Sequence, residues 1–471
     1  MRHIFLLPLV ALAAACTVGP NYAGPPQATS AGAPPAGFVR AGDVARPDAP
    51  VAARWWTTLG DPTLDALEER ALAGNPGVAV AAARVKQARG ALRLERANQL
   101  PSVSASGLYA HAEIPGIDLG GSGSEISALN LYNVGFDASW EVDLFGGQRR
   151  TTEAARANLS AAEADAADTR VQLSAEVANA YVSLRDRQQR LALTRQAAEL
   201  QERMLGLTRQ REAAGTASAL DVERLQGQVQ TTRSQLVPLA AEIEAYLNAL
   251  AVLVGEQPGA VDALLATPGA IPLPPASVAV GDPAALLQRR PDIRAAERRL
   301  AAQTARIGVA EAARFPRLSF MGIIGIGGTK PSALTDLGNI SAIALPQLSW
   351  SFLDFGRNAA RVGQAEGARD EAEAQYRRTV LAALQDAEDS LSRFGHRRES
   401  LAALARIKTS ADRAATLMQQ RQRAGTATLI DALDAERQRV LAEQNLTAAT
   451  AGLTTDYIAI QKALGLGWQA Q

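Results

Sequence analysis

The chain has 471 residues, with 48 basic and 48 acidic side chains and therefore a formal net charge of zero. This balance gives no electrostatic reason to expect a nucleic acid or a strongly acidic partner. Only 4% of the residues are aromatic and a single cysteine is present, which indicates helices without a thick core and excludes an internal disulfide or a Cys/His metal site.

The first segment has the pattern of a secretory leader. Residues 1–15 combine a charged start, a short apolar run over 4–12 and three alanines, which is typical of a signal peptide. Cys16 follows directly, as in a bacterial lipobox, so we expect a lipoprotein that carries a diacylglycerol and an N-acyl chain on Cys16. Thr17 after the cysteine favours the outer membrane. No later run of 18 apolar residues occurs, so no membrane-spanning helix is predicted.

A segment without periodicity comes next. Residues 16–53 are rich in Pro, Gly and Ala, which predicts a lipidated, extended tether. Order is expected to begin at Arg54-Trp55-Trp56, and Asp61-Pro62 is a typical helix start.

The remainder of the chain is a duplication. Landmark residues recur after 215 positions early in each copy and after 210 positions later: Pro76 and Pro101 as Pro291 and Pro316, then Trp140, Gly215, Asp221 and Gly255 as Trp350, Gly425, Asp431 and Gly465. The offset changes between Pro101 and Trp140. Because insertions are tolerated best in surface loops, a hairpin tip is predicted in that interval. The two copies define structural repeats at 54–260 and 261–471.

Each copy contains one amphipathic hairpin. Apolar and polar residues alternate over 102–111 and 132–142, and again over 318–326 and 342–352. This period predicts strands with one apolar and one polar face, and about ten residues suffice for a tilted strand to cross a bilayer. The connecting segments 113–130 and 327–340 are rich in Gly, Ser and Asn and are predicted to be loops.

Long helices follow the hairpins. Proline-free helical patterns extend over 147–213 and 357–423, and second helices follow the Ala-Gly-Thr turns over about 218–254 and 427–464. Shorter helices are predicted at about 62–99 and 282–313. Apolar residues form a narrow stripe along the long helices, close to a coiled-coil seam.

Four amphipathic strands cannot close a barrel within one chain. Open strand edges in lipid leave backbone groups unsatisfied, at several kcal/mol each. The chain must therefore associate with copies of itself, and periodicity alone leaves a dimer and a trimer open.

These features together resemble a TolC/OprM-type outer membrane factor, in particular the NodT-like efflux lipoproteins. The resemblance covers nearly the whole chain, and its markers are the Cys16–Tyr22 start, Trp55-Trp56 with Asp61-Pro62, Trp350 with 353–357, and the two Ala-Gly-Thr turns. It implies a mainly α-helical fold with a small β part, in which a homotrimer forms a twelve-stranded outer membrane barrel continued by a twelve-helix periplasmic α-barrel.

The same resemblance implies a passive export channel. Drugs or other small molecules would be delivered by an inner-membrane pump, expected to be of the RND type, through a periplasmic adaptor of the membrane fusion class. The protein would be lipid-anchored in the outer membrane, in contact with its lipids, and extend into the periplasm.

The resemblance also implies a periplasmic gate. The matching motif places it at Asp431 and Asp434, where three-fold symmetry would gather carboxylates that attract cations, repel anions and raise one another's pKa. The plain alternative is that both acids favour the helix dipole and face solvent. The position matching Asp434 in the first copy is Arg224, so only the second copy carries the pair.

A lock on this gate is less well matched. TolC-type relatives hold the closed state with a Tyr and an Arg, whose positions here are Gln422 and Ala427. Asp221 is retained, which leaves Arg421 and Arg423 as candidate partners of Asp221.

Five aromatic residues are candidates for a girdle at the membrane interface, with ordinary barrel packing as an equal alternative: Tyr109, Tyr132, Trp140, Trp350 and Phe352.

No catalytic constellation is evident, so an enzyme is not expected. His3, His111 and His396 are far apart in sequence, and the glycines of 325–328 complete no GxGxxG motif. Two alternatives stay open: the conduit of a type I protein secretion system, and a periplasmic coiled-coil adaptor lipoprotein. The alternating strands argue against the adaptor, and the lipoprotein start favours efflux over secretion.

Overall fold

The structure, a computed structural model, describes residues 17–26, 37–40, 42–43, 45–46, 52–115, 126–280 and 289–468. The predicted leader, the lipidation site Cys16 and the start of the helix predicted at 282–313 lie outside these ranges.

The chain divides into two compact units. The first, called the sheet unit, comprises Met1–Pro26, Arg84–Ala162 and Ala295–Tyr376. The second, called the helical unit, comprises Gln27–Ala83, Glu163–Arg294 and Arg377–Gln471. Each unit draws on both copies of the duplicated sequence. The repeat boundaries at 54–260 and 261–471 stay a prediction.

The helices dominate the described chain. In chain order they are α1 (Pro62–Gly74), α2 (Pro76–Ala97), α3 (Gly147–Ala213), α4 (Ala219–Ser234), α5 (Leu236–Leu253), α6 (Asp262–Leu265), α7 (Pro291–Ala312), α8 (Arg357–Arg423) and α9 (Leu429–Ala463). The two longest, α3 and α8, have 67 residues each and confirm the predicted bounds. The Asp61 side chain accepts from the backbone N–H groups of Thr63 and Leu64, which confirms the predicted start of α1.

Two helices predicted to be continuous are broken. The stretch 62–99 is interrupted at Asn75, which is extended because the following Pro76 disfavours the helical conformation there. The stretch 218–254 is interrupted at Gln235. Pro238 lies four residues after Ser234 and has no N–H to donate to its carbonyl, so the helix restarts.

The stretch Ala219–Leu253, which joins α4 and α5, is long enough to cross a membrane and contains an 18-residue apolar window with a mean hydropathy of 1.5; it passes by length and composition alone. The sequence predicted no spanning helix because no run of 18 consecutive apolar residues follows the leader, and Glu242 and Glu244 interrupt α5. These two charges leave the average hydropathy of the window high, and the expectation of no spanning helix stays a prediction. Within the chain, 17% of the apolar window is buried.

The strands form two separate groups. In chain order they are β1 (Ala45–Arg46), β2 (Ser102–Pro115), β3 (Ile126–Val142), β4 (Val278–Ala279), β5 (Arg317–Gly328) and β6 (Ile340–Ser349). Strands β2-β3-β5-β6 form an antiparallel sheet in that order, and β1 pairs with β4 in parallel.

The sheet register shows where the two copies differ in length. Ser102 pairs with Ser139, and the equivalent pair is Arg317 with Ser349. The first members are 215 apart (317 − 102) and the second members 210 apart (349 − 139). The five-residue difference therefore lies inside the hairpin, as predicted. Its tip, residues 116–125, is outside the described residues.

Strand ends differ from the prediction in both directions. Residues 113–115 and 126–130, predicted as loop, belong to the strands, because backbone pairing continues for as long as the partner strand offers hydrogen bonds. Strand β6, predicted to run to Phe352, ends at Ser349. The chain turns there because the Asp354 carboxylate accepts from the N–H groups of Gly356 and Asn358 and caps the start of α8.

One face of the sheet is apolar from its base as far as Tyr109 and Tyr132, and the polar pair His111 and Asn130 follows on that face. Residues directly opposite each other share a face, and the register places these together: Val103, Ala105, Tyr109, Tyr132, Val134, Phe136, Ala138, Trp140, Leu318, Phe320, Ile324, Ile326, Ala342, Ala344 and Leu348. Many are exposed, Phe136 at 58%. The other face carries most of the polar strand residues, including Ser104, Asn133 and Asp137, together with a few apolar ones.

The segment predicted as a free tether is docked wherever it is described. In the sheet unit, the Val18 N–H donates to the carbonyl of Phe145. In the helical unit, the Glu388 carboxylate accepts from the N–H groups of Val39 and Arg40 at 2.7 and 2.8 Å. The prediction overlooked these contacts because backbone hydrogen bonds leave no periodic pattern in the side chains.

The largest buried side chains lie in the helical unit, and the sheet unit has a smaller cluster of Ala154, Ala302 and Ala305. The largest fully buried side chains of the helical unit come from several helices: Trp55, Trp56, Leu64, Leu67, Tyr181, Leu184, Leu250, Leu265, Leu391, Phe394, Ile458 and Ile460. The rings of Trp55 and Trp56 pack edge to face with their centroids 5.9 Å apart, and the ring centroids of Trp55 and Tyr457 are 6.2 Å apart. The two tryptophans are thus part of the packing.

Candidate functional site

The turn between α8 and α9 positions the two candidate gate carboxylates. The N–H of Thr426 donates to the carbonyl of Arg421 at 2.9 Å, and Gly425 lies in the left-handed region at φ +74°. This conformation favours glycine. The equivalent turn between α3 and α4 repeats the geometry, with Gly215 at φ +73°.

Asp431 closes a capping box at the start of α9. Its Oδ2 accepts from the hydroxyl of Thr428 at 2.6 Å and from the Thr428 N–H at 3.0 Å, while the Thr428 hydroxyl accepts from the Asp431 N–H. Asp221 forms the same box with Ser218. A conserved local geometry thus holds the carboxylate at both turns.

These hydrogen bonds favour the ionised form of both carboxylates. Donation by the Thr428 side chain and then by its backbone N–H lowers the pKa of Asp431. Donation by Ser218 lowers the pKa of Asp221 in the same way. For Asp431 this direction is opposite to the mutual repulsion expected among three carboxylates around an axis.

Asp434 is held differently. It lies one turn further along α9, 56% exposed at its side chain, and its Oδ1 accepts from Arg437 at 2.8 Å. An exposed ion pair of this kind is worth about 0–1 kcal/mol. Asp434 is therefore available to a solvent-filled space, and its role as a gate residue stays a prediction.

The candidate lock residues do not meet within the chain. Arg421 donates to the carbonyl of Thr426, and its charge contributes to the lowered pKa of Asp431. Arg224 and Arg211 contribute in the same way at Asp221. The ion pairs among the described residues do not join Asp221 to Arg421 or Arg423, and the lock stays a prediction.

The candidate girdle residues lie on the sheet or directly after it. Tyr109 and Tyr132 pair across strands with ring centroids 4.9 Å apart, and Trp140 stacks on Phe320 at 6.1 Å. Trp350 and Phe352 follow β6 and contact each other at 5.8 Å. Their assignment to a membrane interface stays a prediction.

Trp140 and Trp350 also have a structural role that the sequence did not show. The indole N–H of Trp140 donates to the carbonyl of Gln99, and that of Trp350 to the carbonyl of Arg314, each at 3.0 Å. Gln99 and Arg314 are 215 apart, so the duplication preserves the contact. Each bond ties the base of a hairpin to the end of the preceding helix.

Among the described ranges, no group of three or more His, Cys, Asp or Glu side chains is placed to hold a metal ion. The candidate functional features of the described chain are an apolar, exposed sheet face and two capped helical turns.

The comparisons with known proteins identify the family. The model of the outer membrane efflux protein family matches twice, over residues 67–256 and 283–466. The chain belongs to the outer membrane efflux protein family. The two matches fall in the two copies of the duplicated sequence, so each copy is a recognisable unit of the family.

Individual relatives agree. The outer membrane protein OprJ of Pseudomonas aeruginosa is 35% identical over 418 residues, which covers 88% of this chain and 86% of OprJ. Nodulation protein T of Rhizobium leguminosarum bv. trifolii is 31% identical, with 97% and 96% covered. The structure of the outer-membrane channel OprN matches with a TM-score of 0.86 at 35% identity and covers 96% of this chain and 99% of that one.

These matches confirm several expectations. The resemblance to outer membrane factors is confirmed, as is the fold class, a mainly helical chain with a small sheet part that builds an outer membrane channel. The efflux protein is the outer membrane channel of an efflux system, and it extends from the outer membrane into the periplasm. Its family is one of transport channels.

Proposed function

We propose that three copies of this efflux protein form the exit duct of a tripartite efflux system. An inner-membrane pump of the RND type would deliver small molecules through a periplasmic adaptor, and the duct would pass them outward without an energy source of its own. The absence of any enzymatic activity is part of this proposal.

One observation carries it. Each copy of the sequence joins an amphipathic hairpin to a 67-residue helix, α3 or α8, which at 1.5 Å per residue spans about 100 Å. Strands of this pattern suit an outer membrane barrel, and helices of this length suit a conduit across an aqueous compartment. Their junction in both copies favours a duct over a periplasmic adaptor.

Lipidation of Cys16 and a gate at Asp431 and Asp434 belong to the same proposal. The leader pattern supports lipidation. The exposed position of Asp434 and the hydrogen bonds that keep Asp431 ionised support a ring of fixed negative charge at the tips of the second copy.

The internal repeat indicates how the chains meet. Phe145, after β3, stacks on Phe315, before the neighbouring strand β5, with centroids 4.6 Å apart. The positions equivalent by the repeat are Phe355, after β6, and Leu100, before β2. They are 84% and 66% exposed. Strands β6 and β2 are the two open edges of the sheet, so Phe355 is expected to pack on Leu100 of the next chain.

A cysteine pair tests this interface. Leu100→Cys combined with Phe355→Cys should form crosslinks between chains under mild oxidation, seen as dimer and trimer bands on a non-reducing gel. Phe145→Cys combined with Phe315→Cys is the matched control and should crosslink only within one chain. A control that crosslinks alongside a test pair that gives only monomer would contradict the proposed closure.

Transport is tested in a strain that lacks its own outer membrane efflux channel. Expression of this chain with the pump and adaptor of its own system should lower the cellular accumulation of a fluorescent dye severalfold, relative to pump and adaptor alone. If the chain reaches the outer membrane as a trimer and accumulation stays unchanged, while a large protein substrate of an ATP-driven exporter is released, the secretion alternative replaces efflux.

A further inference from the structure

The described N-terminal segment Thr17–Tyr22 packs against the turn between β3 and α3 and against α7. It directly follows Cys16 in the sequence. Its first contact is the Val18 N–H, which donates to the carbonyl of Phe145 at 3.1 Å in the turn between β3 and α3. We call this segment the strap.

A single buried cation holds the strap. The Arg150 side chain on α3 is 4% exposed. Its guanidinium donates to the carbonyl oxygens of Val18 and Gly19 at 3.1 and 3.0 Å and to Oδ1 of Asn21 at 2.7 Å. The Glu153 carboxylate accepts a fourth hydrogen bond from this guanidinium at 2.8 Å. A buried guanidinium that donates to this many fixed acceptors is specific in position, because each lost acceptor would leave a buried donor unpaired.

Glycines make room for the strap at both of its contacts. A Cβ on Gly19 would lie 2.4 Å from Cα of Gly308 on α7, and one on Gly146 would lie 2.7 Å from the side chain of Thr17. Both distances are below any real Cβ contact. The backbone of the strap therefore lies directly on the helix and on the turn, which only glycine permits.

The far end of the strap is also fixed. The hydroxyl of Tyr22 donates to Oε1 of Glu297 on α7 at 3.0 Å, and the guanidinium of Arg298 lies over the Tyr22 ring at 5.6 Å. Burial and the neighbouring Glu297 raise the pKa of the Tyr22 phenol, so this residue stays protonated as the donor.

The duplicated sequence does not repeat the residues that hold the strap. The position equivalent to Arg150 is Ala360, and the position equivalent to Gly308 is Arg93. Gly356, the equivalent of Gly146, has φ +87° but open space where its Cβ would be. The equivalent turn before α8 thus keeps its glycine, but the counterparts of Arg150 and Gly308 that hold the strap are missing.

We propose that Thr17–Tyr22 is a docking strap, clamped by Arg150, which fixes the lipid-bearing end of the chain at the turn between the barrel strands and the long helices. Cys16 is one residue from the bound end, so its acyl chains would enter the membrane beside the base of the sheet. The proposal rests on the proposed lipidation of Cys16 for the anchor and on the described contacts alone for the strap. Arg150 is a positioning residue for the anchor.

Hydrogen exchange of the intact trimer in detergent tests the strap. The Val18 amide, which donates to the carbonyl of Phe145, should be protected in the parent protein, and Gly146→Ala or Arg150→Ala should speed its exchange at least about tenfold. Gly356→Ala is the matched control, because it adds a Cβ at the equivalent positive-φ glycine without touching the strap. It should leave the Val18 amide unchanged, as should all three variants for the amides of β5.

Two results would overturn the strap: exchange of the Val18 amide in the parent protein at the rate of a free peptide, or equal acceleration by Gly356→Ala and Gly146→Ala. The mass of the N-terminal peptide reports lipidation separately. A protected Val18 amide without the acyl mass would leave the docked strap standing and refute the anchor. The acyl mass with an unprotected Val18 amide would leave lipidation standing and refute the docked strap.

Discussion

Phe136→Arg will prevent most of the efflux protein from reaching the outer membrane as a folded trimer. Phe136 lies in the middle of β3 on the apolar face, directly opposite Ala105 and Ile324, and is 58% exposed. An arginine on the lipid face near the bilayer midplane costs about 2–4 kcal/mol per strand position. Three copies per trimer multiply that cost. The amount of heat-modifiable trimer in purified outer membranes measures the effect.

The matched control is the next residue. Asp137 lies on the other face, opposite Ser104 and Ile323. Asp137→Arg introduces the same side chain into the same strand without placing it in lipid. It should leave the amount of trimer close to normal and change only the ionic conductance. Equal losses for both variants would show that the strand tolerates no arginine, and a loss for Asp137→Arg alone would reverse the assignment of the two faces.

The sequence predicted the sheet and the long helices because these elements have strong periods. The two-residue alternation of apolar and polar residues predicted which side chains of β3 share a face, and the strand register confirms that assignment. The uninterrupted helical pattern set both bounds of α3 and α8. Elements with a weaker signal were missed. Pro76 and Pro238 break helices because of backbone chemistry, which a search for apolar spacing does not detect.

The candidate site was predicted less completely. The duplication and the glycine turns pointed to Asp221 and Asp431 as equivalent residues, and the structure places both in the same capping box. The partners of the tip carboxylates were not predicted; Arg437, which pairs with Asp434, is an example. Contacts between distant segments were also missed. The offset of 210 would have shown that Arg150 has only alanine as its counterpart, and that asymmetry is the available signal for the strap.

Asp431→Asn and Asp434→Asn together should reduce the preference of the duct for cations over anions. In a closed trimer the change removes six negative charges from the tips of the second copy. A change of about 1 kT in the local potential alters local ion concentrations about threefold, so a change of about threefold or more in the ratio of cation to anion permeability is expected. Conductance of single trimers in planar bilayers under a salt gradient measures it.

The pH dependence has a defined sign. The folded pKa of Asp431 is lowered, because Thr428 donates to its carboxylate. Its contribution to stability is therefore complete above the unfolded pKa of about 3.9 and is lost only as the pH falls through the lower folded pKa. Between pH 5 and pH 8, the cation preference that depends on Asp431 should stay constant.

Thr428→Ala separates charge from helix capping. It removes the hydroxyl of the capping box, at a cost of about 1 kcal/mol, and leaves both carboxylates in place. If the tip acids act by charge, Thr428→Ala keeps the cation preference and the double Asn variant loses it. If Thr428→Ala changes selectivity as strongly, and Asp434→Asn alone changes nothing, the two acids serve the fold of the tip and do not line the constriction.

The lock is decided by the same conductance measurement. Reversing the charges of Asp221 and Arg423 one at a time should open the duct if they pair between chains, and reversing both should restore the closed state. Independent, additive effects would exclude the pair. Asp221 is already occupied by its own capping box with Ser218, so its second carboxylate oxygen is the only one left for an arginine. A lock of that geometry would be a single charged hydrogen bond per chain, weak enough for an adaptor to break when it docks.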